Sequence, residues 1–224
     1  RSQTVTGVQT CALPIYYVFA FTTDDLLIAF RNNLLWLIIV TSLTVSLGLL
    51  IAVLADRVKL ESVVKSTIFL PMAISFVGAS VVWKFVYAYR PPGTAQIGLI
   101  NAIVSALGGT PRGWLTHAPE NSFFLMAIMI WIQTGFCMVI LSAAIKGVPK
   151  ELMEAARVDG ANAFQMFFRI TLPYIRGSII TVATTVALSV LRVFDIVYVM
   201  TNGQFNTEVI ANRMYVEMFK FRNF

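Results

Sequence analysis

The chain has 224 residues, of which 58% are hydrophobic and only 12% charged. A soluble domain carries roughly 25% charged residues, so this composition excludes a soluble enzyme, and its apolar bias excludes intrinsic disorder. The 17 Lys+Arg against 11 Asp+Glu give a net charge of +6, but the cations stand singly or in short groups between apolar runs, a pattern of membrane flanks rather than of a nucleic-acid surface.

Arg1 to Ile15 is polar and rich in small residues, with no signal-peptide pattern. It is expected to be a non-native segment, an artefact of cloning, sequencing or assembly. Cys11 and Cys137 are too isolated for a disulfide framework or a zinc site. His117, the only histidine, reads as a solvated loop residue. No metal or other cofactor is implied.

Four apolar runs predict four membrane crossings. The first, Leu34 to Ala55, is uncharged and follows Arg31-Asn32-Asn33. At 1.5 Å per residue it spans about 33 Å, enough for a hydrocarbon core of about 30 Å. The second runs from Ser66 to Trp83, with Pro71 in its first turns and Trp83, Lys84, Tyr87 and Tyr89 as interface anchors. The third is Phe123 to Ile145. The fourth starts near Pro173 and reaches about Met200, interrupted by Arg192 and Asp195. The predicted fold is therefore an all-α, polytopic membrane bundle.

The connections differ. Asp56 to Lys65 is short and charged. Arg90 to Asn121 contains Ile97, Ile100, Ile103, Val104 and Leu107 at helical spacing, which predicts a short helix on the membrane surface. Lys/Arg density places 56–65 and 146–176 together on the cytoplasmic side.

The segment 146–173 carries most of the functional information. Pro149, Glu151 and Glu154 suit the start of a helix. Leu152, Ala155, Ala156 and Asp159 share a face. Gly160 is a left-handed terminator. Asn162 and Gln165 form a capping box for a second, apolar helix that ends at Leu172-Pro173 and starts the fourth crossing.

Glu154-Ala155-Ala156, three residues, Gly160, nine residues, Ile170, one residue, Leu172-Pro173 resembles the "EAA" loop of permease subunits of binding-protein-dependent ABC importers, complete in spacing. Ala-Arg-Val-Asp-Gly-Ala and Arg-Ile-Thr-Leu-Pro resemble the sugar-transport branch. Further landmarks are Arg31-Asn32-Asn33, Leu70-Pro71, Gly98-Leu99-Ile100-Asn101, Trp114-Leu115, Val193 to Tyr198 and Thr201-Asn202-Gly203. The stretches 79–91 and 200–204 look most like alpha-glucoside permeases.

The resemblance runs from Phe21 to Phe224 and implies a type I importer permease domain over 16–224. Four crossings of a usual six are expected in it, the others lying before Phe21 and after Phe224. It implies docking of the coupling loop on an ATP-hydrolysing subunit through Glu154, Ala155, Ala156, Asp159 and Gly160. It further implies a homologous second permease and a periplasmic or lipid-anchored sugar-binding protein. The expected function is carriage of an oligosaccharide or alpha-glucoside across the bacterial inner membrane.

Lys65-Ser66-Thr67 lacks the glycines of a phosphate loop, so ATP hydrolysis is expected on a partner. Neither Gly-x-Ser-x-Gly nor His-Glu-x-x-His occurs, which leaves an intramembrane enzyme without a catalytic set. A secondary transporter or channel is the alternative, with Arg192 and Asp195 as its only mid-membrane charges. For the sugar path the polar and aromatic candidates are Trp131, Gln133 and Phe136 on the third crossing and Ser189 and Arg192 on the fourth.

Overall fold

A computed structural model describes residues 21–56, 58–91 and 93–220. Arg1 to Ile15, including Cys11, lies outside them. The described residues form helices and connecting turns, with no strand among them.

Helix α1, Asp24–Ala55, starts ten residues earlier than the uncharged run and is 32 residues long. Asp24 and Asp25 occupy its first turn, where the helix dipole favours carboxylates. The second run is not straight. It divides into α2 (Glu61–Phe69), a 3-10 turn (Leu70–Ala73) and α3 (Phe76–Val86), bent by 101°. Pro71 stands in that 3-10 turn, at the bend and not in the first turns of a straight helix. It has no N–H to continue the helical ladder, and its ring crowds the preceding turn. Ser75 restarts the helix, accepting from Gly78 N at 3.1 Å.

Helix α4, Leu99–Ala106, is the expected short helix of the long connection. Its Asn101 is fully buried and donates to Ala88 O and Arg112 O while accepting from Arg112 N and Trp114 Nε1. Helix α5, Glu120–Lys146, is the third crossing. Tyr87, expected at the membrane interface, is instead buried and donates through its hydroxyl to Phe124 O at 3.0 Å.

The loop region folds as α6 (Lys150–Val158), α7 (Ala163–Met166), a π turn (Phe167–Thr171) and α8 (Leu172–Tyr174). Pro173 therefore lies inside the last turn of this arm, and the 66° bend into the fourth crossing comes after it. That crossing, α9, is Arg176–Leu191. Its 16 residues span about 24 Å, short of a hydrocarbon core. The chain breaks at 192–194 and continues as α10, Asp195–Met200, then α11, Ile210–Tyr215.

α1 lies along α5 and α9, and α2, the 3-10 turn and α10 also contact α5. In the most apolar window of α5, 56% of residues are buried, against 22% for α1. α5 is thus the central helix, and α1 presents Leu34, Ile38, Leu50 and Leu54 outward. Gly48 lets the two approach: a Cβ there would collide with Cys137 Cβ and stand 3.0 Å from Met138 N. The core they share includes Trp36, Val40, Met129, Met138 and Leu141. Among the described residues, two helices are long and apolar enough to cross a membrane unaided, or up to four if each bent pair is one span.

Candidate coupling loop and membrane path

The segment 56–65 and the segment 146–176 meet at one end of the bundle, as their shared side predicts. Lys65 Nζ donates to Asp56 Oδ1, Glu61 Oε1 and Ser142 Oγ, and Lys146 pairs with Glu61. Ser142 Oγ donates to Asp56 Oδ1 at 2.8 Å. This ties α1, α2 and α5 together at the end of the bundle next to the 146–176 segment. Asp56, Glu61 and Lys65 mark themselves in the sequence by charge and spacing, whereas Ser142 carries no such signal.

The helix–Gly–helix turn has the local chemistry its residues predict. Gly160 has φ +77°, the left-handed position that ends a helix. Its N–H donates to Arg157 O at 3.1 Å, and Ala161 N donates to Ala156 O at 2.9 Å, the paired bonds of a Schellman end. Asn162 Oδ1 accepts from Gln165 N and Gln165 Oε1 accepts from Asn162 N, both at 2.9 Å, closing the capping box. The turn thus satisfies its own backbone between α6 and α7. Glu154, Ala155, Asp159 and Gly160 are exposed on it. Ala156 is buried, so the face shared with Leu152, Ala155 and Asp159 divides, one alanine packing inward and the rest facing out.

At the far end, three asparagines hold the loop that follows α10. Asn32 Nδ2 donates to Asn206 O (2.7 Å) and Glu208 O (2.8 Å). Asn33 Oδ1 accepts from Ile210 N (2.9 Å), and Asn121 Nδ2 donates to Phe205 O (2.8 Å). Within this loop Asn202, Gly203, Phe205 and Asn206 all have positive φ. Burial raises the Glu208 carboxyl above its usual range, against hydrogen bonds from Asn212 Nδ2 and Val209 N.

Between the two ends, Ser189 and Arg192 line a cavity of about 240 Å³ with Phe76, Met129, Val193, Phe194 and Asp195. Arg192 Nε donates to Leu188 O at 3.3 Å, and no ion pair joins it to Asp195 among the described residues. The broken backbone at 192–194 thus lines a cavity, the setting in which non-helical backbone is tolerated at membrane depth. Gln133 and Phe136 are half-buried and follow Met129 at i+4 and i+7, so they continue the cavity's face along α5. Trp131 does not join them: it lies on the other side of α5, edge-on to Trp83 with centroids 5.7 Å apart.

Residues 44–219 match the family described as "Binding-protein-dependent transport system inner membrane component". The chain belongs to this family. The permease is 64% identical over 208 residues to the osmoprotective compounds uptake permease protein GgtC of Synechocystis sp., covering 93% of this chain and 75% of that protein. It is 57% identical over 189 residues to the alpha-glucoside transport system permease protein AglF of Rhizobium meliloti, covering 84% of this chain and 56% of that protein. To the trehalose/maltose transport system permease protein MalF of Thermococcus litoralis it is 36% identical over 164 residues, covering 72% and 53%. The permease thus spans three quarters of the first relative and little more than half of the other two.

Its fold is that of a chain in a bacterial ABC transporter importing the acidic polysaccharide alginate, with a TM-score of 0.81 at 21% identity, covering 98% of this chain and 81% of that one. A second alginate transporter structure, in complex with an alginate pentasaccharide-bound periplasmic protein, gives a TM-score of 0.82 at 22% identity over 97% and 79%.

The fold also exposes residues of the permease that the sequence reading passes over. On α9, Thr181, Thr184 and Thr185 are exposed, and each hydroxyl donates to the carbonyl four residues back at 2.9–3.0 Å. Thr181, Thr185 and Ser189 recur at i, i+4 and i+8, so a polar stripe leads along α9 to the cavity beside Arg192. The signal that would find it is the four-residue spacing of hydroxyls inside an apolar run.

Proposed function

We propose that the permease carries a carbohydrate, an alpha-glucoside or oligosaccharide, across the bacterial inner membrane, powered by ATP hydrolysis on separate partner subunits. The observation that carries this reading is the self-capped turn around Gly160, which presents Glu154 and Ala155 at one end of a family-matched bundle. Glu154, Ala155, Ala156, Asp159 and Gly160 dock this end, the cytoplasmic one, in a cleft of an ATPase subunit. Ala155 permits close approach there, Ala156 packs the helix onto its own bundle, and Glu154 and Asp159 offer carboxylates to basic partner groups. A homologous second permease and a periplasmic or lipid-anchored binding protein complete the assembly.

The sugar path runs along the face of Met129, Gln133 and Phe136 and past the cavity at Ser189 and Arg192. Sugar hydroxyls need donors and acceptors at membrane depth, and Gln133, Ser189 and the Arg192 guanidinium supply them. Trp131 acts from the opposite face through its edge-on contact with Trp83, which steadies α3 against α5.

The test is uptake by the complete assembly in proteoliposomes, comparing labelled alpha-glucosides, maltose and a sugar-free osmolyte. The name of the first relative, an uptake permease for osmoprotective compounds, makes the osmolyte the appropriate competitor. ATP-dependent uptake of the glucosides, weakened in apparent affinity by Gln133→Ala and Arg192→Ala, is expected. Uptake driven by an ion gradient without ATP contradicts the reading, as does transport of the osmolyte alone.

A further inference from the structure

Among the described residues, the end of the bundle next to the 146–176 segment holds a carboxylate oxygen without a donor and a cation without a partner, on two residues that line one cavity. Asp56 follows directly on the last residue of α1, with its side chain 15% exposed. Its Oδ1 receives both of its donors, Lys65 Nζ and Ser142 Oγ. Its Oδ2 is buried and has no hydrogen-bond partner. A buried carboxylate oxygen left without a donor carries a desolvation penalty that a second donor would relieve.

Asp56 and Val53 form one wall of a cavity of about 570 Å³, and Met153 and Arg157 of α6 form another. Among the described residues, Arg157 is the one cation lining it, and it is exposed. No hydrogen bond or ion pair engages its side chain among the described residues. The cavity is thus a gap between α6 and the end of α1, lined by a residue of each charge sign, with Asp56 Oδ2 buried just behind its surface.

We propose that Arg157 closes this gap by pairing with Asp56 Oδ2 when the ATPase subunits drive α6 toward the membrane. The pair is a latch that transmits the stroke. Arginine suits the task because its planar fork can engage the free oxygen while Oδ1 keeps Lys65 and Ser142. The latch forms in one state and opens in the other, so α1 follows α6 only while nucleotide holds the ATPases closed. This rests on the coupling-loop reading given above and adds the residue pair through which the loop acts on the membrane helices.

The test uses the complete assembly in nanodiscs, resting and vanadate-trapped. Val53→Cys with Met153→Cys places one thiol on each wall of the cavity and leaves Asp56 and Arg157 intact. Cross-linking by a short bifunctional reagent should rise on trapping, and that rise should disappear when Arg157→Gln is added, with Arg157→Lys restoring part of it. Arg157→Gln should also lower substrate-stimulated ATP hydrolysis by about fivefold or more, the low end of coupling between sites, while the ATPase subunits still co-purify.

Cross-linking that does not rise on trapping, or a rise that survives Arg157→Gln, overturns the latch. Glu154→Lys separates the two claims: if it uncouples hydrolysis while Arg157→Gln changes nothing, docking stands and the latch falls. If Glu154→Lys itself leaves coupling intact, the docking reading fails first.

Discussion

Asn32→Ala should loosen the loop from Thr201 to Glu208 while leaving the helical core in place. Asn32 is 1% exposed, and its amide donates to Asn206 O at 2.7 Å and Glu208 O at 2.8 Å. A hydrogen bond nets about 0.5–1.5 kcal/mol, so losing two costs about 1–3 kcal/mol. The loop has no unstrained version of the same shape to fall back on, because Asn202, Phe205 and Asn206 hold φ of 52°, 57° and 62°. A non-glycine residue in that region costs about 1–2 kcal/mol, least for asparagine. Opening should therefore become about 5- to 150-fold more frequent, at 1.4 kcal/mol per factor of ten. Hydrogen exchange reads this at the amides of Gln204, Thr207 and Ile210, which donate to Thr201 O, Gln204 O and Asn33 Oδ1. Asn101→Ala is the control: it should speed exchange at Arg112, whose N–H bonds Asn101 Oδ1, and leave 201–210 unchanged. Unaltered exchange at 204, 207 and 210 in Asn32→Ala would refute the clamp.

The same loop should respond to pH through Glu208. Burial raises its carboxyl above the usual range, so the closed loop binds the proton more tightly than the open one. Protection is then full below the ordinary carboxylate value and declines as pH rises through the raised one; Glu208→Gln should flatten that profile, and protection that grows with pH contradicts it. At the α1–α5 contact, Gly48→Leu should lower the yield of folded permease in membranes, because overpacking of this kind costs about 1–3 kcal/mol. Gly48→Ala should be milder, and wild-type yield and thermal stability of Gly48→Leu in detergent would contradict the packing described.

The parts of the molecule legible in the sequence were those whose physics is local. The Schellman end at Gly160 and the capping box of Asn162 and Gln165 are closed by partners within five residues, so residue type and spacing suffice. The existence of the apolar runs was equally plain. Their shapes were not. A proline in the first turns of an apolar run is compatible with a straight helix, and the 101° bend falls just after the Pro71 turn, between Ala73 and Phe76. The shortness of α9 was masked because hydropathy continues through the break at 192–194 into α10.

The candidate path was half legible. Ser189 and Arg192 share a cavity as their three-residue spacing implies, but Trp131 was grouped with Gln133 and Phe136 by polarity and ring type, although helical geometry puts it on another face. Asn32 and Asn33 stood out only as part of a landmark before the first crossing, and Asn121 only as the end of a connection. Their partners lie more than 80 positions away, beyond the reach of any local pattern.

The central claim is that the exposed turn around Gly160 couples this bundle to a separate ATPase. The most direct measurement is substrate-stimulated ATP hydrolysis by the complete assembly carrying Glu154→Lys, with the amount of permease in the membrane determined alongside. Reversing a carboxylate that meets basic groups in a docking cleft should reduce hydrolysis to its unstimulated rate at normal permease levels. Full stimulation by the Glu154→Lys assembly would contradict the account.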